Sequence, residues 1–398
     1  MLTDPARPAT AALPRRRFML VIALLGYFLT AWAWALLGPL APLLRDSLGL
    51  SPLTQALVVA LPVVVGALGR IPVGSLADRR GSRRMYLLVT ALTMTALLVL
   101  ATVGHRSAPA LLAGAVLLGA AGTTFAAGVP FVSAWFPERR GLAIGALGTG
   151  LCGGALGGLT AVRLVDAYGM AAPFLVSSAA LAAFGILGAT AMRDAPRHSV
   201  PAAGARGRLT SALRLPITRR SIIWYALGFA LFVTCSNALP VYLGNAYDVS
   251  PARAGDVMAA FVVVGVAMRP IGGWLADRFG PARPLVIALT ALTVATAVQA
   301  FTPPLPIFLA AVLPVLAVGL GVSSSAVLTQ IGHTAPPLMV GLVTGVVSAA
   351  AGIAGFLTPL LLAVSFQLTA SYGPAFTVLL AAALVALAVA LHNLRNPA

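Results

Sequence analysis

Long apolar runs, separated by short breaks that carry arginine, proline or glycine, recur from one end of the chain to the other. A helix needs about 20 apolar residues to cross a hydrocarbon core, at about 1.5 Å of rise per residue. Cutting the chain at its charged or Pro/Gly-rich breaks predicts twelve such spans. The first six cover residues 18–44, 53–77, 85–103, 109–136, 141–163 and 170–192. The second six cover 221–244, 252–275, 284–302, 305–331, 339–366 and 374–391. The first run follows three arginines at 15–17 and is too long for a signal core, which predicts a retained first helix.

Composition excludes a water-soluble fold. Of 398 residues, 60% are hydrophobic and only 9% charged, whereas soluble domains carry about 25% charged residues. The net charge of +17 would normally suggest nucleic-acid binding. Here the 26 basic residues are all arginine and cluster between the apolar runs, as membrane topology requires, so no nucleic-acid partner is expected. With the N-terminus taken as cytoplasmic, twenty arginines fall on that side: four each in the tail and 78–84, two in 137–140, seven in 193–220, two in 277–283, and Arg395. The opposite side receives only Arg45, Arg106, Arg163 and Arg253. The positive-inside rule then predicts a multi-pass protein of the cytoplasmic (inner) membrane with both termini cytoplasmic. Residues 193–220 are the only long polar connection, and divide the chain into six-helix halves, 1–192 and 221–398.

The halves repeat. RIPVGSLADRRGSRR (70–84) and RPIGGWLADRFGPAR (269–283) place Arg70 against Arg269 and Asp78 against Asp277, each 199 positions apart. That register indicates duplication. The shared pattern G-x-L-A-D-R-x-G-x-x-R resembles the loop motif of the major facilitator superfamily. The resemblance implies an all-α integral membrane protein with twelve transmembrane helices in two pseudo-symmetric six-helix bundles, the major facilitator fold. An acidic residue at a helix C-terminus is disfavoured by the dipole and needs a cationic or helix N-terminal partner. Asp78, Arg79 and Gly81, with Asp277, Arg278 and Gly280, are therefore expected to form a conformational latch on the cytoplasmic face.

Arg70 and Arg269 are the anomaly. Each lies eight residues before its motif aspartate, about 12 Å from the helix end and close to the bilayer midplane. Such an arginine is costly and marks a functional site by default. Eight of the nine acidic residues fall in predicted tails or loops and Asp256 lies near the outer start of its span, so no carboxylate at the level of the pair neutralises it. Guanidinium offers a planar oxyanion two parallel hydrogen bonds. The alternative is that each arginine bonds backbone carbonyls freed near Pro72 and Pro270.

GRIPVG (69–74), MRPIGG (268–273), FVSAWFPERRGLAIGALGTG (131–150) and AWAWALLGPLAPLL (31–44) are similar to the nitrate/nitrite porter branch of the superfamily. In that branch paired arginines bind the anion between aromatic rings, and the matching rings here are Phe125, Tyr225 and Phe229. The branch carries an asparagine in helix 5 where this chain has Cys152, and the matching helix 11 segment, 346–359, has none either. Ser236, Asn237 and Ser323–Ser325 are candidates for the missing hydrogen bonds, unless they bond their own helices.

GTGLCG (148–153) also fits a dinucleotide-binding pattern, but it lies within a span with no preceding strand and reads as helix packing. Cys152 and Cys235 read as small buried residues. The four histidines lack metal-ligand spacing, so no cofactor, metal site or catalytic activity is expected. The expectation is a secondary transporter, monomeric, of nitrate, nitrite or related oxyanions, with a counter-transported anion or a proton and the lipid bilayer as its other partners. Transport of organic monocarboxylates, or drug-type export, is the alternative.

Overall fold

The computed structural model describes residues 12–136, 140–194, 205–335 and 340–395, which contain helices and no strand. The first span is α1 (Ala12–Ala35) continued by α2 (Leu37–Leu48). It is followed by α3 (Pro52–Arg80), α4 (Ser82–Val99), α5 (Ala108–Leu118) leading into α6 (Thr124–Trp135), α7 (Arg140–Gly148) leading into α8 (Gly153–Tyr168), and α9 (Ala172–Ala191). A short helix α10 (Ala205–Arg214) connects to the second six. These are α11 (Pro216–Asn237) with α12 (Leu239–Tyr247), α13 (Pro251–Phe279), α14 (Ala282–Ala300), α15 (Leu305–Ile307) leading into α16 (Leu313–Thr334), α17 (Val340–Thr369) and α18 (Gly373–Arg395). Eleven stretches among the described residues are long and apolar enough to cross a membrane, and the bent pair α11–α12 supplies a twelfth.

Local chemistry sets the boundaries. Ser51 and Ser107 cap α3 and α5 by accepting hydrogen bonds from the N–H groups of Thr54 and Ala110. The two motif loops end α3 and α13 at Gly81 (φ 97°) and Gly280 (φ 77°), backbone that a side chain strains. Both halves also break their first helix just before a proline, at Leu36 before Pro39 and at Ala238 before Pro240. The missing proline N–H removes one helix bond at each break, and α11 turns into α12 by 67°. Buried threonines such as Thr90, Thr93, Thr293 and Thr296 donate to the carbonyl four residues back, leaving no hydroxyl that needs water.

Two details differ from the sequence expectations. The seventh span starts at Pro216, five residues early, and Arg220 Nη1 bonds Asn393 Oδ1 of α18. Asp46, Asp78, Asp166 and Asp277 lie in helix ends, where loops were expected, and Asp256 lies in the second turn of α13. The cause is the same in both cases: these helices run past their apolar stretches, where flanking residues leave the hydrocarbon without leaving the helix.

One of those acids joins the halves. Arg163 of α8 and Asp256 of α13 form a two-pronged ion pair, Nη1–Oδ1 at 2.7 Å and Nη2–Oδ2 at 2.8 Å. Arg45 Nη1 of α2 also donates to Asn245 Oδ1 of α12 at 3.4 Å. Among the described residues, the hydrogen bonds and ion pairs that cross between halves lie at the end of the bundle opposite the chain termini. Beside the ion pair α8 and α13 cross at Gly158 and Gly255, where a Cβ on either glycine would sit within 2.5 Å of the other's carbonyl oxygen.

Arg163→Gln or Asp256→Asn is expected to shift the balance between conformers only several-fold. The two side chains are 52% and 41% exposed, and exposed pairs contribute little and less at high salt. Distance measurements between spin labels flanking the pair, at low and high ionic strength, check this.

Candidate functional site

Arg70 and Arg269 occupy corresponding places in α3 and α13, each within a few residues of a helix proline, Pro72 or Pro270. Arg70 Nε donates to the carbonyl of Gly122 at 3.0 Å. That carbonyl belongs to a 3₁₀ stretch, Gly119–Thr123, between α5 and α6. Tighter winding at mid-helix redirects carbonyls away from the α-helical pattern, and the neighbouring helix supplies the donor. The approach is close because Gly122 has no side chain: a Cβ there would lie 3.1 Å from the Cα of Gly66. The expectation of a carbonyl partner is thus met for Arg70 on a different helix, not at the carbonyl freed by its own proline.

The rest of the Arg70 guanidinium reaches across to the other half. Its Cζ lies 5.6 Å from the ring centroid of Phe229 on α11, which stacks on Tyr225 with centroids 5.7 Å apart. Arg269 sits over Phe232, 5.0 Å from its centroid. A cation over an aromatic face is attracted by about 0.5–2 kcal/mol, more as water is excluded. Nε of Arg269 is buried and has no hydrogen-bond partner among the described residues. The backbone behind it is held by Ser325, whose hydroxyl donates to the Arg269 carbonyl at 2.6 Å. Phe125 packs against Tyr27 of α1 with the rings tilted at 43° and their centroids 5.6 Å apart.

The expected residues therefore divide. Arg70, Tyr225 and Phe229 come together at the interface between the halves, Arg269 stands beside Phe232, and Phe125 stands behind Tyr27. Ser236 and Asn237 lie about two turns further along α11. Ser236 donates to the carbonyls of Phe232 and Val233, and Asn237 Nδ2 to that of Val233, so their own helix takes the serine proton and one of the two amide protons. Ser323 likewise bonds the carbonyl of Leu320. In the motif loops the side chains of Asp78 and Arg79 lie outside those described. Arg278 folds onto Trp274 and Phe279 at 5.4 and 5.5 Å, and no described residue forms an ion pair with Asp277.

Two residues at this centre were missed. Phe232 lies three and seven residues after Phe229 and Tyr225, on the same helix face, so helical spacing was a usable signal. Tyr27 carried only a weak one, a lone hydroxyl in an apolar run that must find a polar partner when buried. Among the described residues no three His, Cys, Asp or Glu side chains are grouped to hold a metal, and Cys152 and Cys235 are free thiols.

Known proteins share both the fold and the sequence. A solved bacterial homologue of the human lysosomal transporter Spinster, in an inward-facing and unoccupied conformation, superposes with a TM-score of 0.73 at 17% identity, covering 96% of this chain and 97% of that one. The probable nitrate/nitrite transporter NarK2 of Mycobacterium tuberculosis is 37% identical over 369 residues, 92% of this chain and 93% of the relative. The probable nitrate/nitrite antiporter NarK1 of Thermus thermophilus is 29% identical over 91% of this chain and 88% of its own length. The family model of the Major Facilitator Superfamily matches residues 23–359 and 232–398. The spans, the loop repeated in both halves and the relatives named as transporters mark a multi-pass membrane transporter and not an enzyme, and the chain belongs to the major facilitator superfamily, where it resembles the nitrate/nitrite porters.

Proposed function

We propose that the protein carries small monovalent oxyanions, nitrate and nitrite foremost, by alternating access, with the anion held between Arg70 and Arg269. The observation that carries this reading is the unpartnered, buried Nε of Arg269, in register with a second midplane arginine. Asp256, which shares its helix, is thirteen residues away, about 20 Å along the axis, and is already paired with Arg163. A buried cation without a counter-ion is costly, and an oxyanion between two forks removes that cost while the aromatic faces exclude water. The names of the two relatives point to the same substrates, and one is named an antiporter.

Exchange follows from repulsion. Two unit charges 4 Å apart at an effective dielectric of about 20 repel by about 4 kcal/mol. Closure of the halves on an empty site is thus disfavoured, whereas closure on an anion is allowed. The two halves, 1–192 and 221–398, rock about the site with 193–220 as the linker. One chain supplies both arginines, so a monomer in the lipid bilayer suffices. Arginine asymmetry places both termini on the cytoplasmic side of the inner membrane. With inter-half bonds at the opposite end, the conformation described here is inward-facing. The motif groups Asp78, Arg79 and Gly81, and Asp277, Arg278 and Gly280, then form the latch that closes in the outward-facing state.

The test is nitrate entry into proteoliposomes preloaded with nitrite, with and without a pH gradient. Entry that requires internal nitrite and ignores the gradient is expected. Gradient-driven entry into empty vesicles would establish proton symport and sink the repulsion argument. Acetate or formate transport without nitrate transport would move the substrate to organic monocarboxylates.

A further inference from the structure

Tyr27 is a buried phenol midway along α1, and its hydroxyl has no hydrogen-bond partner among the described residues although its ring is tightly held. On one side the ring meets Phe125. On the other it lies against the glycine-rich start of the fifth span, where a Cβ on Gly150 would come within 2.8 Å of a ring carbon. Gly150 belongs to a second 3₁₀ stretch, Thr149–Cys152, so the two 3₁₀ stretches described in the first half border this centre, one at Arg70 and one at Tyr27. The phenol oxygen lies within electrostatic reach of both guanidiniums and of Tyr225 across the interface.

The ring is buried, but its oxygen is not among the fully buried unpartnered atoms, so the hydroxyl opens onto space that water or a ligand can enter. It sits where two cations converge and where the protein offers it no acceptor. Neighbouring guanidiniums can only donate, so the acceptor must come from outside the chain, and an anion drawn by both arginines brings it.

We propose that Tyr27 donates a hydrogen bond to the transported anion, as a third recognition group beside Arg70 and Arg269. The proposal rests on the anion-binding reading of the two arginines and adds a residue to it. The geometry assigns the three donors unequal duties. The arginines supply charge and attract any small anion. The phenol supplies direction, and favours an anion with an oxygen placed to accept from the side of α1.

The experiment compares wild type, Tyr27→Phe and Arg269→Ala by calorimetric titration of the purified protein with sodium nitrate, and by nitrate–nitrite exchange in proteoliposomes. Tyr27→Phe keeps the ring that packs on Phe125 and Gly150, so its melting temperature without nitrate should match wild type. Its nitrate affinity should fall about tenfold or more, the scale of a hydrogen bond to a charged group. The KM for nitrate should rise in proportion while the maximal exchange rate stays near wild type, a split that a packing defect would not produce. Gly150→Ala, which displaces the hydroxyl without removing it, should change KM in the same direction. Unchanged affinity and KM in Tyr27→Phe, with binding lost in Arg269→Ala, would overturn the role of Tyr27 and leave the arginine reading standing. Wild-type nitrate binding in Arg269→Ala would overturn both.

Discussion

Arg269→Ala is expected to reduce nitrate–nitrite exchange by about a hundredfold or more. Removing one partner of a buried charge arrangement costs about 3–5 kcal/mol, and each 1.4 kcal/mol is a factor of ten. Arg269 should matter more for anion binding than Arg70, because Arg70 directs its Nε to Gly122 while Nε of Arg269 has no protein acceptor. Arg269→Lys separates charge from geometry. Lysine keeps the positive charge but loses the planar fork that grips two oxygens at once, so partial activity with a raised KM is expected. Exchange at wild-type rates in the alanine variant would remove Arg269 from the site. The control for folding is the melting temperature without nitrate, which should not fall, since the alanine relieves a buried unpaired cation.

Gly255→Leu is expected to hold the two halves apart at the end where Arg163 meets Asp256. The obstacle is backbone: a Cβ at Gly255 would lie 2.3 Å from the carbonyl oxygen of Gly158, and that oxygen can retreat only if α8 moves with it. Overpacking of this kind costs about 1–3 kcal/mol or more, which shifts a two-state balance by about one to two orders of magnitude. A carrier that cannot close one side cannot complete its cycle, so exchange should nearly cease while nitrate binding survives. The measurement is the distance between spin labels on α8 and α13 flanking the ion pair, which should be short in the parent and longer with Gly255→Leu. Gly273→Leu on the same helix is the control, because no atom lies within 4 Å of its Cβ position. An unchanged distance in the Gly255 variant would mean that the crossing tolerates bulk and does not set the closed state.

The two variants separate two quantities that a transport rate merges. The first removes the anion's partner and leaves the crossing of the halves intact. The second leaves the partner in place and blocks the movement. Binding lost with closure kept, against closure lost with binding kept, distinguishes the site from the hinge without reference to the transport rate.

The sequence alone determined the membrane class, the spans, the duplicated loop and the matching positions of Arg70 and Arg269 within their helices. These properties depend on local composition and on distance along a helix: a run of apolar residues has one cheap environment, and a residue eight positions from a helix end has a fixed height. The glycines of the two loops were equally legible, because the positive φ at Gly81 and Gly280 is a demand of the local turn. What the sequence could not decide was direction around each helix and pairing between helices. Ser236 and Asn237 were plausible anion contacts by height and chemistry, yet α11 itself takes the serine proton and one amide proton of Asn237. Phe232, not Phe229, lies under Arg269, and Tyr27 enters the centre from a helix with no charged residue near that level. Such outcomes depend on how close two backbones come, and Gly66 against Gly122, Gly150 against Tyr27 and Gly158 against Gly255 set that spacing. A glycine's value at a crossing lies in the atom of another helix that occupies its missing side chain's place, and that atom is hundreds of bonds away along the chain. Only the tertiary structure brings the two together.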